Sequence, residues 1–128
     1  MKARLAIGRP AASALAWFAV IAPPLAWATQ LVVGYAFQEA GCGRPDSDLW
    51  GAGLGGLTAT VIVVCGVVAA LGGLAGLAAW RATGAASADP LGRVRFMAVA
   101  GIASGFVFLL AIVLSGIALV PLDPCDGG

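Results

Sequence analysis

Residues 49–80 read LWGAGLGGLTATVIVVCGVVAALGGLAGLAAW, a run of 32 positions without a Lys, Arg, Asp, Glu or His. A helix crosses the hydrocarbon core of a bilayer in ~20 apolar residues at about 1.5 Å rise each, so this run is long enough to span. Two more charge-free runs flank it, 29 residues from Pro10 to Gln38 and 27 from Phe96 to Leu122. Every formal charge of the 128-residue chain lies between or beyond the three runs. The pattern predicts an all-α membrane protein, one integral membrane domain whose three transmembrane helices cover about residues 11–37, 52–80 and 96–122. With 61% hydrophobic and 10% charged residues, and connections as short as Glu39–Asp48 and Arg81–Arg95, no segment is left to bury a soluble core.

The bases are distributed unevenly. Lys2, Arg4 and Arg9 precede the first run, and Arg81, Arg93 and Arg95 lie between the second and third. The other two connecting segments hold Arg44 alone. Short loops enriched in Lys and Arg stay in the cytoplasm. The split therefore predicts a cytoplasmic N terminus and second loop, with the first loop and the C terminus outside a bacterial inner membrane. A net charge of +1 gives no basis for nucleic-acid binding. Lys2 and Arg4 followed by Ala26-Trp27-Ala28 also resemble a signal peptide with its small-residue cleavage site. Apolar sequence continues past Ala28 to Phe37, which favours an uncleaved span.

The second run carries a stripe at alternating steps of four and three: Gly55, Ala59, Ile62, Gly66, Ala69, Gly73, Gly76. All but Ile62 are Gly or Ala, at the ~3.5-residue period of helices that pack along their length. Gly51–Gly55 and Gly72–Gly76 match the small-xxx-small form as well. In lipid, close backbone approach rather than apolar burial drives helix association. The stripe is therefore a packing seam, for a helix of this chain or of another subunit. The third run repeats it more weakly through Gly101, Ser104, Phe108, Ala111, Ser115 and Ala118, with Gly105 beside it. Val107, Leu109, Leu110, Val113 and Leu114 then face lipid or a partner.

The first run contains Pro23-Pro24, which deprive the carbonyls of Ala19 and Val20 of their usual partners and predict a kink. Thr29 and Gln30 follow as its most polar pair. They are either packing features or a polar contact to a partner; a Gln hydrogen bond between membrane helices is worth ~0.6–2 kcal/mol. Asp46-Ser47-Asp48 is a suitable N-cap for the second helix. Trp50, Trp80 and Tyr35 fit interfacial anchoring, and Trp27 fits packing near the kink. Cys42 and Cys125 both fall on the outside face, where a disulfide between the first loop and the C-terminal tail is expected. Cys65, mid-run, reads as a small buried hydrophobe.

Chemistry-bearing groups are sparse. The chain has no His, so imidazole ligation of haem, copper or zinc and Ser/His/Asp catalysis are excluded for this chain alone. No Walker or dinucleotide loop occurs, and the predicted spans hold no Asp, Glu, Lys or Arg of the kind that ion-coupled transport uses. No enzymatic activity, cofactor or metal site is expected.

The segment Pro23-Pro24-Leu25-Ala26-Trp27-Ala28-Thr29-Gln30-Leu31-Val32-Val33-Gly34-Tyr35-Ala36-Phe37, closing with Cys42, resembles small membrane proteins of proteobacteria that occur alongside haem-copper cytochrome c oxidases. Thr29 and Gln30 stand where such proteins often carry a His. The resemblance implies an accessory or assembly subunit of a respiratory complex. The expected partners are other membrane subunits and lipid. Glu39, Asp46, Asp48, Asp123 and Asp126 outnumber Arg44 on the outside face; they are either ordinary solvated charges or a surface that steers a cationic electron carrier. The alternative expectation is a small homo-oligomeric transporter or channel for a neutral substrate.

Overall fold

A computed structural model describes residues 9–42, 48–49, 52–84 and 91–119. Three long helices dominate: α1 (Arg9–Cys42), α2 (Leu54–Thr83) and α3 (Leu91–Leu119). Between α1 and α2, strands β1 (Asp48–Leu49) and β2 (Ala52–Gly53) pair antiparallel, Asp48 opposite Gly53 and Leu49 opposite Ala52. Each helix contains a segment long and apolar enough to cross a membrane, with mean hydropathy of 1.5, 2.5 and 2.6 in chain order. The chain is a multi-pass membrane protein.

The boundaries differ from the sequence reading in instructive places. α1 holds Pro23 and Pro24 inside one helix, as expected, but continues past Phe37 to Cys42. α2 starts at Leu54 rather than Ala52, because Ala52 and Gly53 are engaged in the strand pair. For the same reason Asp48 is not the helix cap; Gly53 takes that position, with no side-chain hydrogen bond. Asp46 and Ser47 lie outside the described residues. α3 begins at Leu91, ahead of Phe96, so Arg93 and Arg95 sit in its first turns, and the part of the third run beyond Leu119 lies outside the described residues.

The helices run up, down and up. Positions facing each other across α1 and α2, such as Ala16 with Ala79 and Pro23 with Gly72, rise in one helix as they fall in the other. α2 and α3 are antiparallel as well, through Gly76 with Ile102, Gly73 with Gly105 and Gly66 with Ile112. α1 and α3 are parallel, through Ala19 with Gly101 and Gln30 with Ser115. This arrangement gathers the start of α1, the end of α2 and the start of α3 at one end, and with them Arg9, Arg81, Arg93 and Arg95.

Small side chains fill the interior. Among the described residues the buried hydrophobics are Ala at nine positions, Cys65, and Ile112 as the single large aliphatic. Trp17, Phe18, Leu25, Phe96, Phe106 and many further large side chains point outward. Water would forbid that surface, but lipid tails are as apolar as the side chains themselves, so size rather than polarity decides what goes inside. Small residues inside let three backbones approach, and the dispersion attraction between their closely packed atoms holds the helices together.

Each helix turns one line of positions toward the shared axis at steps of four and three. In α1 it is Ala12, Ala16, Ala19, Pro23, Ala26 and Gln30, all buried. In α2 it is Cys65, Ala69, Gly72, Gly76, Ala79 and Thr83, also all buried. In α3 it is Ala98, Gly101, Gly105, Phe108, Ile112 and Ser115, of which Phe108 and Ser115 are half-buried. A period near 3.5 keeps a line facing its neighbours over many turns, as in left-handed coiled packing.

Candidate functional site

The α1 line ends in a polar side chain where the previous five positions are Ala or Pro. Gln30 is 5% exposed, and its Nε2 donates to Ser115 Oγ on α3 at 2.7 Å. The Ser115 hydroxyl in turn donates to the carbonyl of Ile112 at 2.9 Å, one helical turn back. The two bonds form a directed relay, amide N–H to hydroxyl to carbonyl. It ties α1 to α3. Gln30 Oε1 is buried and accepts no hydrogen bond among the described residues. Its neighbour Thr29 is exposed and takes no part.

Beside this relay lies a cleft of about 510 Å³ between α1, α2 and α3. From α1 its wall includes Gln30, Leu31, Gly34 and Gln38; α2 contributes Thr58, Val61 and Ile62, and α3 closes the back with Ser115 and Ala118. Most of its lining is apolar, with amide and hydroxyl groups at both depths and, among the described residues, no charged side chain. Such a cleft suits a neutral ligand.

The seams that hold this geometry are unusually close. A Cβ on Gly105 would lie 2.6 Å from the Cα of Gly73, and one on Gly72 would lie 2.7 Å from Pro23 Cγ. One on Gly101 would overlap the Cβ of Ala19. One on Gly76 would come within 3.0 Å of both Ala98 O and Ile102 N. Gly66 is looser: its nearest neighbours, Ile112 Cγ2 and Leu109 Cδ1, are at 3.8 and 3.9 Å.

The small residues singled out in the sequence therefore fall into different places. Gly66, Gly73 and Gly76 meet α3, while Ala69 is fully buried in the cluster formed with Ala26, Cys65 and Ile112. Gly105 faces α2, but Gly101 faces α1, so the α3 stripe serves two neighbours. Ser104 is half-buried. Gly55 and Ala59 are exposed, leaving that end of the stripe uncovered among the described residues. Of the bulky α3 residues, Leu109 packs on the core beside Gly66. Val107, Leu110, Val113 and Leu114 are exposed. Pro23 is buried against Gly72 and Pro24 half-buried. Trp27 packs on Phe108 with ring centroids 5.6 Å apart, and Arg95 lies over the Trp80 ring at 5.1 Å. The side chain of Cys42 and all of Cys125 lie outside the described residues.

Sequence reasoning missed the Ala line of α1, the Gly72–Pro23 contact and the pairing of Gln30 with Ser115. The first was legible: Ala12, Ala16, Ala19 and Ala26 repeat at the same steps as the α2 stripe. Among the described residues no group of His, Cys, Asp or Glu is placed to hold a metal ion. The chain matches no protein-family model, no curated protein and no solved structure.

Proposed function

We propose that this chain is a non-catalytic accessory or assembly subunit of a larger membrane complex, of the cytochrome c oxidase type suggested by the resemblance of its first span. The observation that carries the reading is where its small residues go. Those from Gly66 to Gly76 on α2 and at Gly101 and Gly105 on α3 are consumed inside the chain, Gly55 and Ala59 stay exposed, and no more than 28% of any span is buried within the chain. The remaining surface presents large side chains from all three helices, Leu25, Val67 and Phe106 among them. A subunit docks through such a surface, and lipid fills the rest.

The excess of bases at the joint end of α1, α2 and α3 supports an N terminus and second loop in the cytoplasm of a bacterial inner membrane. That orientation places Cys42 and Cys125 on the oxidising side, where we propose that they pair, and turns the acidic loop and tail toward any cationic electron carrier. Co-purification with oxidase subunits at fixed stoichiometry in mild detergent is the expected result. Migration only as a free monomer or homo-oligomer overturns the reading.

A homo-oligomeric transporter or channel for a neutral substrate is the second reading, favoured by the uncharged cleft. A path through a single copy would stop at Ile112, 1% exposed, and at the touching backbones of Gly73 and Gly105. Its pore would have to run between copies. Cross-linking in native membranes separates the two, because it reports whether the nearest neighbour is the same chain.

A further inference from the structure

Two polar side chains are buried among the described residues, Gln30 and Thr83. Thr83 satisfies itself on its own helix, its hydroxyl lying 3.0 Å from the carbonyls of both Ala79 and Trp80. Gln30 does not, because Oε1 has no partner among the described residues. Turning the amide over would not cure this. Ser115 has one hydroxyl proton: directed at Ile112 O it leaves the oxygen to accept from Nε2, and swung toward a flipped Oε1 it would leave Nε2 unmet instead. A flip would only exchange one orphan for another. An unmatched carbonyl in an apolar medium is costly enough that native structures rarely keep one without a water or ligand to meet it.

The Gln30 side chain is part of the wall of the cleft, and the terminal torsion of a glutamine is broad. Oε1 itself is buried, so a ligand in the cavity meets it by turning the amide about that torsion. Gln30 and Ser115 lie at the deep end, Gln38 and Thr58 at the mouth, ~12 Å apart along the helix at 1.5 Å per residue. Between them the walls are Leu31, Val61 and Ile62. Leu31 and Tyr35, both lining the cleft, are exposed, so the cleft is open at the surface of α1. A volume of about 510 Å³ lies within the ~300–1,000 Å³ range of small-molecule sites.

We propose that this cleft binds a neutral, hydroxyl-bearing amphiphile. Its O–H donates to Gln30 Oε1, and its apolar body lies between Leu31 on α1 and Val61 and Ile62 on α2. Among the described residues no charged group lines the cavity to recruit a phosphate or ammonium head, and as the amide lies the unmet atom is an acceptor, so the ligand must bring a donor. The site stands whether or not the chain is an accessory subunit.

The test uses the full chain in nanodiscs with two isomeric probes, 1-octanol and heptyl methyl ether. They share every atom count and differ in the donor proton. Binding is followed by side-chain amide NMR of Gln30 in the wild type and by Leu31 and Ile62 methyl shifts in every variant, at matched mole fractions in the bilayer. Saturable binding with about a tenfold preference for the alcohol is expected, the size of one matched buried hydrogen bond. Gln30→Met should erase the preference while leaving weak binding of both isomers. Gly34→Phe fills the cleft, since a Cβ there meets nothing within 4 Å. It should block both probes while the Gln30 amide signal retains its Ser115-bonded shift. Equal affinities in the wild type, a preference surviving Gln30→Met, or binding surviving Gly34→Phe each overturn the proposal. So does saturation by neither probe, which would mean that the cleft holds water alone.

Discussion

Replacing Gly105 by Ala would place a methyl carbon 2.6 Å from the Cα of Gly73 and 2.9 Å from its nitrogen. Carbon pairs are comfortable at about 3.5–4.0 Å, so the shortfall is ~1 Å. Neither side can yield by a rotamer change, because both atoms met are backbone. α2 and α3 must separate, and separation also opens the contacts of Gly76 with Ala98 and Ile102. A gap of 0.5–1 Å forfeits roughly a quarter to a half of each pair's dispersion attraction, and overpacking of this kind costs ~1–3 kcal/mol. Relief of the glycine's helix penalty returns ~0.5–1 kcal/mol. The net expectation is a loss of about 1–2 kcal/mol. Gly66→Ala is the same chemical change on the facing helix of the same seam. Its Cβ would meet Ile112 and Leu109 at 3.8 and 3.9 Å, ordinary contact, so it should be neutral or stabilising by up to ~1 kcal/mol. Inter-helix energy transfer between labels at the ends of α2 and α3, followed through an SDS titration in mixed micelles, measures both. Equal midpoints for Gly105→Ala and Gly66→Ala would refute the close-approach reasoning.

Gly101→Ala should destabilise through its clash with the Ala19 Cβ. Adding Ala19→Gly should recover only part of the loss, because the Ala19 carbonyl carbon and Cα remain 3.1 and 3.3 Å from the new methyl; full recovery or none in the same titration would count against the contact. Ser115→Ala strips Gln30 of the acceptor its amide uses and should cost ~1–3 kcal/mol, whereas Gln30→Met removes the orphan oxygen along with the donor and should cost less than ~1 kcal/mol. The reverse order of unfolding midpoints would contradict the relay. Gly73→Leu should disrupt the bundle far more than Val67→Leu, since Val67 is 53% exposed and Gly73 sits on Gly105; similar unfolding midpoints of the two variants in the same titration would make the stripe a compositional accident. Ala82→Cys, exposed beside Arg81 at the basic end, should resist a membrane-impermeant thiol reagent in intact cells and label once the membrane is opened. Labelling in intact cells would invert the proposed orientation.

Much of the architecture could be read from residue order. The charge-free runs marked three helices long enough to span, and the α2 stripe singled out glycines that do lie on α3. Less legible was which small residue meets which neighbour. Gly and Ala occur on several faces of α2, so a line through Gly66 and Gly73 and a line through Cys65, Ala69 and Gly72 look equally good on paper. The bundle uses both, the first toward α3 and the second toward the shared axis. Gly55 and Ala59 belong to the same stripe, yet near the mouth of the cleft no helix of this chain covers them. Asp48 had the chemistry of a cap, but its backbone is taken by a strand pair that no periodicity in so short a loop could announce.

By itself the sequence determined that three helices form and that their charged ends cannot enter a bilayer. Length, apolarity and the placement of charge are properties of each segment alone. Only the tertiary structure decided that Gly105 touches Gly73, that Gly101 touches Ala19, and that Gln30 meets Ser115 while one of its atoms stays unmet. Inside lipid, an apolar side chain gains little by facing a helix rather than an acyl chain, so hydropathy does not choose the inner face. Side-chain size and the register of three helices choose it together, and register is a property of the assembled bundle.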